Sequence, residues 1–282
     1  MVVKDLWFNH QTKPIRLNEL WPRLWPCILN VQNYFATVRP HLWSLAVEEH
    51  FYLTLPLVLT LYVSSRKIFG KRIPLMVLCC LLVSVGWRIA SIDDFDPDLK
   101  HLFYTHLRID ALSFGFLLSY VFYVRPKLWE ILTERRTILL FAGLLAISPA
   151  LLLPLEDRLL RTVGLTLLYL GYGSILIACV SESRRRHWLD HLLEGSIGRL
   201  LAFIGFSSYS IYLWHMEIGN AAVVLFHRYI SIGNPSIQWL ASTFTFLIAS
   251  ITGGFLIGKA VEMPVLKFRD HIFPARSASS HL

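Results

Sequence analysis

Three strings of polar residues interrupt long apolar runs in this chain, and their types and spacing suit proton transfer. The first is His41-Leu-Trp43-Ser44-Leu-Ala-Val-Glu48-Glu49-His50-Phe-Tyr52. Ser44, Glu48 and Tyr52 stand four residues apart, so a helix carries them on one face. Glu48 and Glu49 are adjacent carboxylates that repel when both are charged, which fits one of them to general-base work. The second string is His101-Leu-Phe-Tyr104-Thr105-His106-Leu-Arg108-Ile-Asp110. His106 and Asp110 are helical neighbours, whereas Arg108 points to another face. Asp110 lies inside an apolar run, so it must face protein or water, with Arg108 or His106 as its expected partner. The third string runs from Ser207 to Glu217. Ser208, Tyr212 and His215 form a polar stripe there, and a neutral His215 imidazole near mid-helix can take a proton from a hydroxyl.

Each string also suits a purely structural role. Ser44 can cap a helix whose dipole Glu48 and Glu49 complement. Arg108 and Asp110 can pin helices as an ion pair, and His215 can be a hydrogen-bonded core residue. Arg184-Arg185-Arg186 reads as a cytoplasmic anchor, and the Glu262 carboxylate as a partner of Lys259. There is no P-loop, no zinc-type spacing and no Gly-x-Ser-x-Gly elbow, so no metal ligand set is expected.

The elements that must position these residues follow from composition. Of 282 residues, 55% are hydrophobic and only 16% charged, with mean hydropathy +0.51. A soluble domain carries about 25% charged residues, so an ordinary soluble enzyme is excluded, and disorder with it. A bilayer core of about 30 Å requires roughly 20 apolar residues in a helix. Seven stretches approach that length: about 45–63, 73–90, 107–124, 137–154, 163–180, 207–226 and 238–258. The fold class expected is an all-α, polytopic transmembrane bundle. Pro74 is expected in the first turn of the second span, and Pro149 with Pro154 at the end of the fourth. Cys79, Cys80 and Cys179 sit in apolar runs and read as free core thiols.

The formal charge of +8 is a topology signal rather than a nucleic-acid footprint. Alternate loops hold Arg66, Lys67, Lys71 and Arg72; Arg125, Lys127, Arg135 and Arg136; Arg184, Arg185, Arg186 and Arg199; and Lys259, Lys267, Arg269 and Arg276. Those sixteen cations face four in the other loops, Lys100, Arg158, Arg161 and Arg228. The positive-inside rule then places residues 1–44 outside, a membrane domain over 45–270 and a cytoplasmic tail over 271–282. Residues 1–40 contain no signal peptide, so an odd number of spans is expected upstream of Met1.

The first string resembles the Trp-Ser-Leu-x-x-Glu-x-x-Phe-Tyr signature of the acyltransferase-3 family of integral membrane acyltransferases. The resemblance continues in order. Gln32-Asn33-Tyr34-Phe35 precedes the signature, and Arg108-Ile-Asp110-Ala-Leu-x-x-Gly115 resembles the family's Arg-x-Asp segment. Ser208-Tyr209-Ser210-Ile-Tyr212-Leu-Trp214-His215 resembles its Ser-Tyr-x-x-Tyr-Leu-x-His segment, and Val261-Glu262-Met-Pro264 its Glu-x-Pro ending. It covers roughly residues 28–270.

The resemblance implies a multi-pass enzyme of a bacterial inner membrane, with about ten spans. It moves an acyl group, usually acetyl, from acyl-CoA to a hydroxyl of a carbohydrate or lipid-linked acceptor. Acyl-CoA enters as co-substrate, with no bound cofactor. The family opens on an Arg…His motif and an Arg-x-x-Arg motif, neither matched before Trp43, which implies that this chain is the later seven spans of a longer enzyme. On this reading Glu48 and His215 are the catalytic residues. Trp43, Ser44, Glu49, Tyr52, Arg108, Asp110 and Tyr212 bind substrate. A transporter or flippase of a sugar-linked substrate needs the same buried charges without an acyl donor. A seven-helix retinal protein requires a mid-span lysine in its last helix, a place Lys259 does not hold.

Overall fold

A computed structural model of the chain describes residues 17–35, 37, 39–62, 66–92, 100–180 and 187–273. It divides into two compact units, residues 1–186 and 187–282. The first holds α1 (Leu17–Ile28), α2 (Trp43–Tyr62), α3 (Arg66–Ala90), α4 (Ile109–Val124), α5 (Pro126–Thr133), α6 (Arg136–Leu152) and α7 (Leu165–Val180). The second holds α8 (Trp188–Glu194), α9 (Ser196–Phe206), α10 (Ser208–Tyr229), α11 (Pro235–Ile257) and α12 (Met263–Ile272). No strand occurs among the described residues.

Each of the seven apolar stretches is helical over most of its described length, as a chain without water to satisfy its backbone requires. Among the described residues, Arg72–Ala90, Leu160–Val180 and Pro235–Ile272 are long and apolar enough to cross a membrane. The pair α5 and α6, bent by 80°, makes a fourth if taken together. Arg184-Arg185-Arg186, the aspartates at 93, 94, 96 and 98, residues 1–16 and the tail beyond Phe273 lie outside the described residues.

Prolines mark two boundaries, the first of them differently from expectation. Helix α3 begins at Arg66, so Pro74 lies two turns inside it rather than in its first turn. Helix α6 runs past Pro149 to Leu152, because Pro149 still offers its carbonyl to Leu153 N at 2.9 Å. Pro154 is the stop, forcing Leu153 into an extended conformation (φ −96°, ψ 146°). The thiols differ too: Cys79 is exposed on α3, and Cys80 and Cys179 are half-buried.

Small residues let the helices approach. At the α6–α7 crossing, a Cβ on Gly143 would lie 2.8 Å from the Gly171 carbonyl oxygen, and one on Gly171 2.7 Å from that of Gly143. Arg136 closes the same pair by donating Nε to the Ala178 carbonyl at 2.8 Å, near the negative end of α7. In the second unit α10 packs on α11, where a Cβ on Gly254 would lie 2.5 Å from Ile211 Cα. Asn234 caps α11, its Oδ1 accepting from Ser236 N at 3.0 Å and Ile237 N at 3.3 Å, with Pro235 at the first helical position.

Candidate functional site

The first two polar strings converge within the first unit. A short 3₁₀ turn, Pro40–Leu42, leads into α2, so Ser44 belongs to the helix's first turn instead of capping it. Two more 3₁₀ turns, Lys100–Phe103 and Thr105–Leu107, lead into α4. Residues 31–35 hold the two approaches together. Gln32 donates Nε2 to the Leu42 carbonyl at 3.0 Å, and Asn33 donates Nδ2 to Thr105 Oγ1 at 2.8 Å and the Phe103 carbonyl at 3.3 Å. Thr105 Oγ1 also lies 2.7 Å from Nδ1 of His50 on α2. The hydroxyl of Thr105 thus couples the α2 signature to the α4 approach, with Asn33 occupying one of its lone pairs.

The expected substrate residues divide by burial. Trp43 stacks on Phe103 with centroids 4.8 Å apart and planes 21° apart. The Arg108 guanidinium covers the Trp43 ring at 5.3 Å while Nε donates to the Leu102 carbonyl at 2.7 Å. Ser44, Glu48 and Glu49 are half-buried, and Tyr52, a turn further along α2, is exposed. Trp43 and Arg108 therefore form one cation–aromatic surface beside the carboxylate-bearing turn.

Asp110 has a different partner from those the sequence suggested. It is 1% exposed and paired with Arg88 of α3, Nη2 to Oδ2, at 2.7 Å. Arg108, which precedes α4, instead holds its guanidinium on Trp43 and acts on Asp110 only as a neighbouring charge. His106, in the turn before, meets Tyr34 Oη instead, Nδ1 to Oη at 3.2 Å. Arg88 also donates Nη1 to the Leu107 carbonyl at 3.1 Å and Nη2 to Thr166 Oγ1 of α7 at 2.7 Å. One buried guanidinium thus ties α3, α4 and α7 together below the site. Sequence reasoning passed over Arg88, although an arginine inside the apolar run 73–90 carries the same signal that singled out Asp110.

The third string lies in the second unit and has its own partners. His215 Nδ1 is 2.7 Å from the Tyr212 carbonyl, which only accepts, so Nδ1 carries the proton and the basic lone pair of the neutral ring is on Nε2. Ser250 of α11 donates to the His215 carbonyl at 3.0 Å, and the Tyr212 ring lies 5.9 Å from the imidazole. The serine turned inward is Ser210; Ser208 is exposed, since a helix of this pitch points the two to different sides. Ser210 Oγ donates to Glu262 Oε2, so that carboxylate's partner in the structure is a hydroxyl of α10 where Lys259 was expected. Glu262 sits in a π-helical turn, Gly258–Glu262, a widening of the backbone that frequently marks functional positions.

Residues 2–259 match the acyltransferase-domain family. The chain belongs to the acyltransferase-3 family. Its relatives include the peptidoglycan O-acetyltransferase OatA of Listeria monocytogenes, 28% identical over 233 residues, which cover 80% of this chain and 35% of the relative. A putative O-acetyltransferase of Staphylococcus aureus (strain COL) is 24% identical over 245 residues, covering 82% of this chain and 38% of the relative. The O-acetyltransferase OatA of Staphylococcus aureus (strain NCTC 8325) is 27% identical over 195 residues, 66% of this chain and 30% of the relative. This acyltransferase-3 chain spans about a third of the length of the curated relatives it matches. No solved structure matches it. Its several long apolar helices make it a multi-pass membrane protein.

Proposed function

We propose that the protein is a membrane O-acyltransferase that moves an acetyl group from acyl-CoA to a hydroxyl of a carbohydrate acceptor. The observation that carries this reading is the convergence of the family signature on α2 with the Arg108–Asp110 segment, joined through Asn33, Thr105 and His50. The Listeria relative's peptidoglycan acceptor supports a cell-wall saccharide here. Seven spans with residues 1–44 outside and the C-terminus in the cytoplasm of a bacterial inner membrane agree with the alternation of loop charge.

In the reaction the acceptor hydroxyl attacks the thioester carbonyl. A C–O ester bond forms, the C–S bond breaks, and the hydroxyl proton passes through the base to the departing CoA thiolate. Glu48 orients or deprotonates the hydroxyl, with Ser44, Glu49 and Tyr52 along the same helix shaping its approach. The Arg108–Trp43 surface supplies a cation where charge develops on the carbonyl oxygen or a sugar is held. Asp110 acts through Arg88, as a positioning residue, since both its oxygens are engaged within the protein: Oδ2 by Arg88 and Oδ1 by Ala111 N at 3.1 Å. His215, with Tyr212 fixing its tautomer, is the second acid/base group.

The test is acceptor acylation by the protein in proteoliposomes supplied with acetyl-CoA. Glu48→Gln and His215→Ala are each expected to lower the rate by 10²-fold or more, the usual worth of a general acid or base. Undiminished transfer by both variants refutes the assignment.

A further inference from the structure

The corner where residues 31–35 meet the approach to α4 carries a surface that the transfer chemistry leaves unused. Tyr34 and Tyr104 stack with centroids 5.0 Å apart and planes 12° apart. His106 lies alongside both, at 6.0 Å and 5.6 Å, and Trp87 of α3 meets it edge-on at 5.6 Å. These rings are not core. Trp87 is 58% exposed and Tyr34 39%, while Tyr104 and His106 are half-buried. Elsewhere among the described side chains of α3 the large exposed hydrophobic residues are aliphatic: Leu75, Leu78, Leu82, Val83 and Ile89. At this corner aliphatic side chains give way to rings edged with hydroxyl and imidazole groups.

Such a wall offers flat apolar faces and a hydrogen-bonding rim together. A pyranose ring has the same duality, with a C–H face and a rim of hydroxyls. The wall is also held in place before any ligand arrives. The Tyr34 hydroxyl meets His106 Nδ1 at 3.2 Å, and Ser84, fully buried on α3, donates to the His106 carbonyl at 3.0 Å. Preorganisation of this kind removes ordering cost from binding. Finally, the wall leads toward the chemistry: the Tyr34 ring lies 6.4 Å from that of His50, the residue after Glu49 on α2.

We propose that Tyr34, Trp87, Tyr104 and His106 form a saccharide platform on which a sugar ring of the acceptor stacks while its hydroxyl reaches the Glu48–Glu49 turn. The identity of the event that follows rests on the acyl-transfer reading; the platform itself requires only a sugar. A bilayer headgroup region is the other environment that gathers tryptophan and tyrosine, and the test separates the two.

The full chain in lipid nanodiscs is titrated calorimetrically with a β-1,4-linked N-acetylglucosamine oligosaccharide, without acyl-CoA. The wild type binds it, Trp87→Ala and Tyr34→Ala each weaken binding roughly three- to tenfold, and Trp87→Phe restores most of the loss. Binding by a wild type that transfers no acyl group supports the platform and refutes the transfer reading. No binding by a wild type that does acylate an acceptor overturns the platform. Unchanged affinity in Trp87→Ala and Tyr34→Ala also overturns it, as does a fall in nanodisc incorporation with affinity intact, which assigns the rings to membrane anchoring.

Discussion

Replacing Asp110 by asparagine tests the buried ion pair most directly. At 2.7 Å, and with the effective dielectric constant of about 20 suited to protein sites, the Arg88–Asp110 attraction is about 6 kcal/mol. Desolvating two charges that are only 3% and 1% exposed offsets most of that, so the intact pair adds little net stability. Removing one partner is a different matter. It leaves the other charge buried without compensation, at a cost of about 3–5 kcal/mol. Asp110→Asn and Arg88→Met are each expected to lower the melting temperature of the detergent-solubilised protein by roughly 6–20 °C, taking about 2–4 °C per kcal/mol for a chain of this size. The double variant Arg88→Met/Asp110→Leu removes both charges and is expected to recover more than half of the single-variant loss. It does not recover all of it, because Thr166 and the Leu107 carbonyl lose their donor. The assay is thermal unfolding followed by circular dichroism, analysed as a double-mutant cycle. Single-variant shifts under about 2 °C, or a double variant whose loss equals the sum of the two, refute the reasoning.

Three further outcomes follow, two from geometry and one from burial. A Cβ on Gly171 meets the backbone oxygen of Gly143 and the side chain of Ile147, both at 2.7 Å. Gly171→Val is therefore expected to part α6 from α7 and cost about 1–3 kcal/mol in the same melt. Gly86→Ala, with nothing within 4 Å, is expected to gain up to about 1 kcal/mol. Burial holds the His106 imidazole below its ordinary value, so the fold favours the neutral ring. Its contribution to stability is complete above the unfolded pKa of about 6.5 and is lost as pH falls toward the lower folded value. The melting temperature should thus fall less steeply on acidification in His106→Gln than in the wild type, and parallel profiles would show that His106 does not titrate in this way.

The sequence by itself determined the helices and the residues worth asking about. An apolar run in a bilayer has one economical way to satisfy its own backbone, so all seven runs became helices, and Pro154 ended α6 for a local reason. Glu48, Arg108, Asp110 and His215 stood out because ionisable side chains in apolar runs are costly. Family membership was legible in the same strings, which survive as ordered motifs. Only the tertiary structure decided who meets whom. Asp110 is 22 residues from Arg88 and 56 from Thr166, and no helical periodicity relates positions on separate helices. Thr105 looked like an ordinary turn residue until Asn33, 72 residues earlier, and His50, 55 residues earlier, closed on its hydroxyl. Ser210, rather than Ser208, turned inward, where the π-helical turn after α11 brings Glu262 to its hydroxyl. Spacing along a chain fixes which residues share a face, whereas the pairing of faces depends on where glycines such as 143 and 171 allow two helices to touch.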